Sequence, residues 1–347
     1  MVDHSQRRKT AVTAIGGYVL NPKKHNLSFG RWAIPVMAKK MQSSEINERR
    51  RAVQSLCDFV FDSRRVASKE FTSVVPILKD LCEDPDSKLR LNVAKCLGAV
   101  TATPAGRRAF DNHGFYDETL NLLKDEDEEV RHAANIVLQR LVISPIGAEG
   151  LVEAGGIPVL IERISREPDH ILEVLLQTLH ICCLIDPENA VDHKCLETVI
   201  PLLKNSSESV RARAATVIKD LTEQVKGRNR ALDLKAVPLL LDMCHSEDEV
   251  VQAQGLAALM MIASATPGKF MAIGDNAIER IMPLVKRKNP EIRLNAIKVL
   301  TVLSEAPPGR KQLIDRMPEV LLSLLNDEVP EVRRAAKTLN AVVTFKP

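Results

Sequence analysis

Three independent registers in this sequence predict an all-α solenoid of stacked helical units, each about 41 residues long. A sentence recurs: DEEVRHAANIVLQRL at 127–141 returns as SESVRARAATVIKDL at 207–221, NPEIRLNAIKVLTVL at 289–303 and VPEVRRAAKTLNAVV at 329–343. Anchored on one position of that sentence, the first register runs Arg49, Arg90, Arg131, Leu172, Arg211, Gln252, Arg293, Arg333, with spacings of 41, 41, 41, 39, 41, 41 and 40. The second is set by Gly106, Gly147, Gly227, Gly268 and Gly309, spaced 41, 80, 41 and 41, where the doubled interval skips a unit carrying Glu188 instead. The third is proline: Pro35, Pro76, Pro158 and Pro238 each stand 14 residues before an anchor. Self-similarity at this period marks stacked supersecondary units rather than conventional domains. About eight units are expected over residues 33–347, preceded by a basic extension, residues 1–32, carrying Arg7, Arg8, Lys9, Lys23 and Lys24.

Within a unit the elements follow in order. A short helix led by the glycine comes first, as in SPIGAEGLVEAGG, and ends where glycine terminates it. A second short amphipathic helix follows, as in DETLNLLKDED with Leu120, Leu122 and Leu123, and proline is tolerated in its first turn because the missing N–H would be unpaired there anyway. The long third helix carries Val130, Ala134, Val137, Leu138 and Leu141 at i, i+4, i+7, i+8 and i+11, which is one buried stripe. Acidic residues such as Asp127, Glu128 and Glu129 stand at its start, where they complement the helix dipole. The Ala134 position stays small in Ala52, Ala214, Gly255, Ala296 and Ala336, so neighbouring helices approach closely. The fourth unit, with Leu172 and Glu188 at the anchor positions, is degenerate.

Composition agrees and excludes several functions. The hydrophobic share of 45% supplies a core, while 3% aromatic residues and one Trp argue against base-stacking surfaces. With 48 Lys plus Arg against 45 Asp plus Glu, the net charge of +3 gives no general attraction to nucleic acid. No window has the 18 or so apolar residues of a bilayer span, and MVDHSQRRKT is not a secretory leader, so the chain is expected to be soluble and intracellular. Seven cysteines, none in a C-x-x-C pair, read as reduced core residues. A thiolate and imidazole site from His180, Cys182, Cys183, His193 and Cys195 lacks the ligand spacing of structural zinc, and these residues fall in apolar helical runs. There is no phosphate loop, nucleophile elbow or H-E-x-x-H helix, and no histidine precedes a Glu, so neither catalysis nor a cofactor is expected.

The segment EAGGIPVLIERI at 153–164, the V-R-x-x-A helix starts and three helices in about 41 residues resemble armadillo repeats, over about residues 33–345. A HEAT array, with two helices per unit, is the alternative. The armadillo resemblance implies a right-handed superhelix whose third helices line a concave binding face. Importin-α and β-catenin relatives clamp an extended peptide with one Asn per third helix, nine residues beyond the anchor. Those positions here read Asp58, Ala99, Arg140, Ile181, Asp220, Met261, Val302 and Ala341, with no asparagine, so clamping of a basic peptide is not expected. Arg140, Ile181, Asp220, Met260, Met261 and Val302 become the candidate protein-binding residues of the array; the apolar ones are core by the plainer account, or seat a partner helix.

Residues 21–62, containing FGRWAIP, and ATPAGRRAFDNHGFYDETLNLLKDED at 102–127 resemble the radial spoke head protein 14 homologues, an armadillo family of motile cilia. The resemblance implies a structural subunit of the axonemal radial spoke that binds other spoke proteins along the elongated core, with the basic extension ordering on a neighbour. Arg31 and Trp32 are candidate contacts, although a terminal repeat also needs an atypical cap over its apolar end. A cytoplasmic stage before incorporation into the axoneme, and no membrane, nucleic acid or small-molecule substrate, complete the expectation. A soluble armadillo adaptor or a cytosolic assembly factor for ciliary complexes is the competing account.

Overall fold

The computed structural model describes residues 32–60, 62–66, 68–314 and 316–345. Among them every regular element is helical. Eight long helices recur: α1 (Ile46–Val60), α2 (Ser87–Thr101), α3 (Glu128–Leu141), α4 (Asp169–Ile185), α5 (Glu208–Leu221), α6 (Glu249–Ala263), α7 (Pro290–Ser304) and α8 (Pro330–Val343). Each begins three residues before its anchor, so the sequence register is also a structural one. The described residues form two compact units, divided between Gly147 and Ala148. In the first, α1, α2 and α3 pack side by side in order; in the second, α4 to α8 do the same.

The anchor arginine has a local function. The Nη1 of Arg90 donates to the carbonyls of Asp84 at 2.8 Å and Pro85 at 3.2 Å, six and five residues back. Arg49, Arg131, Arg211, Arg293 and Arg333 repeat that grip on their own loops. Gln252 makes a related grip with a carboxamide, its Nε2 donating to Ser246 O at 2.7 Å, six residues back, and to Cys244 O at 3.1 Å, eight back. Loop carbonyls ahead of a helix are otherwise left to water, and the clamp fixes the angle at which the chain enters the long helix. Three anchors also reach the next repeat: Arg49 pairs with Asp84 at 3.2 Å, Arg90 with Asp125 at 2.6 Å and Arg293 with Asp327 at 2.7 Å. One residue type thereby closes its own loop and ties it to the following one.

Five of the long helices, α2, α3, α5, α6 and α7, are capped by the residue just before them. Asp86, Asp127, Ser207, Asp248 and Asn289 accept from backbone N–H groups of the first turn. The register glycines exist for close approach. A Cβ on Gly106 would lie 1.7 Å from Val100 O, and one on Gly227 would lie 1.9 Å from Leu221 O, because the short helix folds back sharply over the end of the long one. The turn between the two short helices is left-handed: Gly114, Gly155, Lys194, Lys235 and Asn276 have φ between 56° and 76°. Glycine serves in the earlier turns, whereas the later ones place Lys or Asn in a conformation disfavoured for side chains.

The stripe is core as expected: Val130, Ala134, Val137, Leu138 and Leu141 are each 0% exposed. At the Ala134 position, a Cβ on Gly255 would come within 2.8 Å of Met243 Cβ, so size is restricted by the preceding short helix. The fourth unit departs physically as well as in sequence. Helix α4 runs 17 residues, the next helix opens two residues after its end at Pro187, and Glu188 is exposed, so no close backbone approach demands glycine. Pro168 replaces the polar cap, and a buried ion pair joins Arg163, in the last turn of the preceding short helix, to Glu167 of the loop the missing anchor would have clamped, with Nε to Oε1 at 2.8 Å.

Trp32 opens the helix Ala33–Met41 and is 61% exposed, while Ala33, Ile34, Met37 and Met41 are buried where that helix packs on α1. That helix, rather than the indole ring, covers the apolar side of α1. Arg31 and the basic extension before it lie outside the described residues.

Candidate protein-binding face

Side chains at a few anchor-relative positions of the long helices line grooves between successive helices, most of them outside the core and a few, such as Leu91, at its margin. In the first unit a groove of about 470 Å³ lies between α2 and α3, lined by Leu91, Lys95, His132, Ile136 and Arg140 among others. In the second unit a groove of about 450 Å³ between α5 and α6 is polar, with Glu208, Arg213, Thr216, Asp248 and Gln254. A third, of about 440 Å³, spans α6, α7 and α8 and is floored by Met260, Leu294, Val302 and Ala335, with Lys298 and Arg334 at its edge. Counted from each anchor, the recurring lining positions are two residues before it and one, two, five and eight or nine residues after it. These spacings trace one face of a 3.6-residue helix, opposite the buried stripe.

The sequence-predicted residues fall on this face unevenly. Met260 and Val302 meet in the third groove, and Arg140 lies in the first. Ile181 and Met261 are half-buried, neither core nor fully exposed. Asp220 is only 3% exposed and turns inward: its carboxylate meets the Nδ1 of His180 across from α4 and the Lys219 ammonium at 3.1 Å. Arg140 is likewise engaged, donating from Nη1 to the Gly98 carbonyl of α2 at 2.6 Å. Leu91, Lys95, Ile136, Leu294 and Lys298 also line these grooves but escape a ladder placed eight or nine residues beyond the anchor. The signal was available, since a helix that buries one stripe leaves the residues one and five beyond the anchor on the opposite side.

Polar groups on the face are tied between neighbouring helices. Asn295 Nδ2 donates to Ala253 O at 3.1 Å, and Thr216 Oγ1 meets Gln254 Oε1 at 3.2 Å. Several carboxylates of the loop network sit below the usual range: the Arg293 guanidinium holds Asp327 down, and the Arg50 guanidinium does the same for Asp86. For Asp125, burial pushes the carboxyl up, but its bonds to Arg90 and to the Asp127 backbone outweigh that and the net shift is downward. Burial pushes the thiols of Cys82, Cys182 and Cys244 up to about 12, leaving them inert. Cys57 differs, since a hydrogen bond with Cys96 holds it below the ordinary thiol value. Among the described residues no cluster of three or more His, Cys, Asp or Glu is placed to hold a metal ion, and no helix is long and apolar enough to cross a membrane.

Comparison with known proteins settles the architecture. An engineered protein of known structure superimposes with a TM-score of 0.81 at 20% identity, covering 91% of this chain and 79% of that one. A designed armadillo repeat protein in complex with the peptide (KR)4 gives a TM-score of 0.61 at 17% identity, over 66% of this chain and 99% of its own. The fold is an armadillo-repeat solenoid. A HEAT repeat family model matches residues 74–103, the stretch that holds Arg90 and its clamped loop. Human armadillo repeat-containing protein 3 is 25% identical over 127 residues, 36% of this chain; the match spans only 14% of that relative's length. The third-helix face described above is where this chain leaves side chains such as Met260, Leu294, Lys298 and Arg334 outside its core.

Proposed function

We propose that this chain is a non-catalytic scaffold subunit of the axonemal radial spoke, binding other spoke proteins through its third-helix face and supporting ciliary motility. The observation that carries the binding part is the recurrence of grooves at the same anchor-relative positions, ending in the apolar floor of Met260, Leu294, Val302 and Ala335. The resemblance of the FGRWAIP segment and of residues 102–127 to the spoke family supports the location. A designed relative holds a basic peptide, whereas this face carries Lys95, Arg140, Arg213, Lys298 and Arg334 and no asparagine ladder, which favours a different kind of partner.

The test is fractionation of ciliated cells. Retention with demembranated axonemes, and release by strong salt together with spoke proteins at constant stoichiometry, supports a permanent subunit. Recovery in the detergent-soluble fraction replaces that reading with an adaptor or assembly factor. Met261→Glu, at a half-buried position, is expected to weaken incorporation while leaving helical content and the unfolding transition unchanged. Normal incorporation of that variant removes the third-helix face from the account.

A further inference from the structure

We propose that the groove over α6, α7 and α8 receives an amphipathic α-helix with acidic residues beside its apolar stripe, rather than an extended peptide; this rests on the protein-binding reading above. Two observations decide between the forms. The first is the state of the polar groups around the groove, whose hydroxyl protons and side-chain amide are engaged within the array. A peptide bound in extended form brings a row of N–H and C=O groups that must be paired on the surface it covers. The hydroxyls lining this groove are already used within their own helices, Thr301 on Ile297 O at 2.8 Å and Thr338 on Arg334 O at 3.2 Å. The amide of Asn295, the asparagine of α7 nearest the groove in sequence, is held by Ala253 O. No asparagine or glutamine lines the groove, so an extended occupant would lack the side-chain amides that both donate to and accept from a bound backbone. A helix pairs its own backbone and presents only side chains.

The second observation is charge. Met260, Leu294, Val302 and Ala335 make a half-buried apolar floor, and the edge holds exposed Lys298 beside Arg334; Glu331 pairs with Arg334 at 2.6 Å, which leaves the charge of Lys298 in excess. The edge is therefore net positive and complements carboxylates flanking a partner's apolar residues. Three neighbouring helices with axes about 8–10 Å apart give a channel of about 16–20 Å, enough for a helix of roughly 11–13 residues with apolar anchors at i, i+4 and i+7.

The probe is a fluorescein-labelled 15-residue peptide with leucines at i, i+4 and i+7 flanked by glutamates, titrated against the full chain by anisotropy. Two companions are used: one with lysines in place of the glutamates, and one with a central proline and otherwise the same composition. The glutamate peptide should bind, and the lysine peptide should bind about threefold to fivefold more weakly per ion pair lost. The proline peptide should lose about tenfold or more, because it cannot be a continuous helix. Lys298→Glu, at an exposed position outside the core, should reverse the order of the glutamate and lysine peptides, and Leu294→Gln should weaken both. Equal binding of the proline peptide, an unchanged charge preference in Lys298→Glu, or no binding of any probe overturns the proposal. Chain that fails these tests yet stays with axonemes retires only the helical occupant; chain that passes them yet leaves with detergent retires only the spoke.

Discussion

Replacing Arg90 separates two tasks that one guanidinium performs. Its side chain is 11% exposed and that of its partner Asp125 is 6% exposed; Nε and Nη2 meet the two carboxylate oxygens at 2.6 and 2.8 Å, and Nη1 bridges two loop carbonyls. Arg90→Leu removes everything and leaves Asp125 without its main counter-charge, a loss expected at about 3–5 kcal/mol, as for a broken buried pair. Arg90→Gln keeps a donor aimed at the loop, because the Gln252 carboxamide also spans two carbonyls of its own loop, eight and six residues back rather than six and five, and is expected to recover about 1 kcal/mol of that loss. Asp125 has a depressed native pKa, so its contribution is complete above the ordinary carboxylate pKa and disappears as pH falls through the native value. The gap between wild type and Arg90→Gln should therefore be full at pH 7 and shrink toward pH 3. Urea unfolding followed by circular dichroism gives the sizes, and hydrogen exchange locates the loosened units, since a solenoid opens by neighbouring repeats. The reasoning is refuted if Arg90→Leu lies within about 0.5 kcal/mol of wild type, the ordinary range of a surface substitution. It is equally refuted if Arg90→Gln is as damaging as Arg90→Leu.

Three further outcomes are expected. Gly227→Ala forces a methyl group to within 1.9 Å of the Leu221 carbonyl oxygen, and urea unfolding should show a loss of about 2 kcal/mol or more; a neutral result would mean that the turn relaxes freely. Lys235→Gly relieves a non-glycine residue at φ 56° and should raise stability by about 0.5–1 kcal/mol in the same assay, whereas Gly114→Lys should lower it. In native protein near pH 7.5, a thiol-specific chromogenic reagent should label Cys57 well before the buried cysteines, with all seven reacting in denaturant; rapid labelling of Cys82 or Cys244 contradicts the packing described.

Much of this architecture was legible because a repeated unit states its constraints many times over. The anchor register located the start of every long helix, and the stripe from Val130 to Leu141 named the core. What the anchor arginine does was not legible. Its partners are carbonyls of an irregular loop and an Asp about 35 residues ahead; Asp84, Asp125 and Asp327 do recur six residues before an anchor, but nothing local shows that their carboxylates meet the anchor of the preceding unit. The left-handed turns at Lys194, Lys235 and Asn276 were hidden for a related reason: glycine advertises such a backbone, but tertiary packing also imposes it on residues that do not.

The candidate face divides in the same way. Sequence placed Arg140, Asp220, Met260 and Val302 in one class by helical spacing, and spacing alone cannot say which side chains are already taken. The fold assigns Asp220 to His180 and Lys219, gives Arg140 the carbonyl of Gly98, and leaves Met260 and Val302 half-covered over a groove. Sequence by itself determined the repeat, its period, its core and the helix starts, because those follow from local chain geometry repeated along the array. Only the tertiary structure decided which polar groups are spent between neighbouring helices and which remain for a partner, because that depends on distances between residues about 40 positions apart.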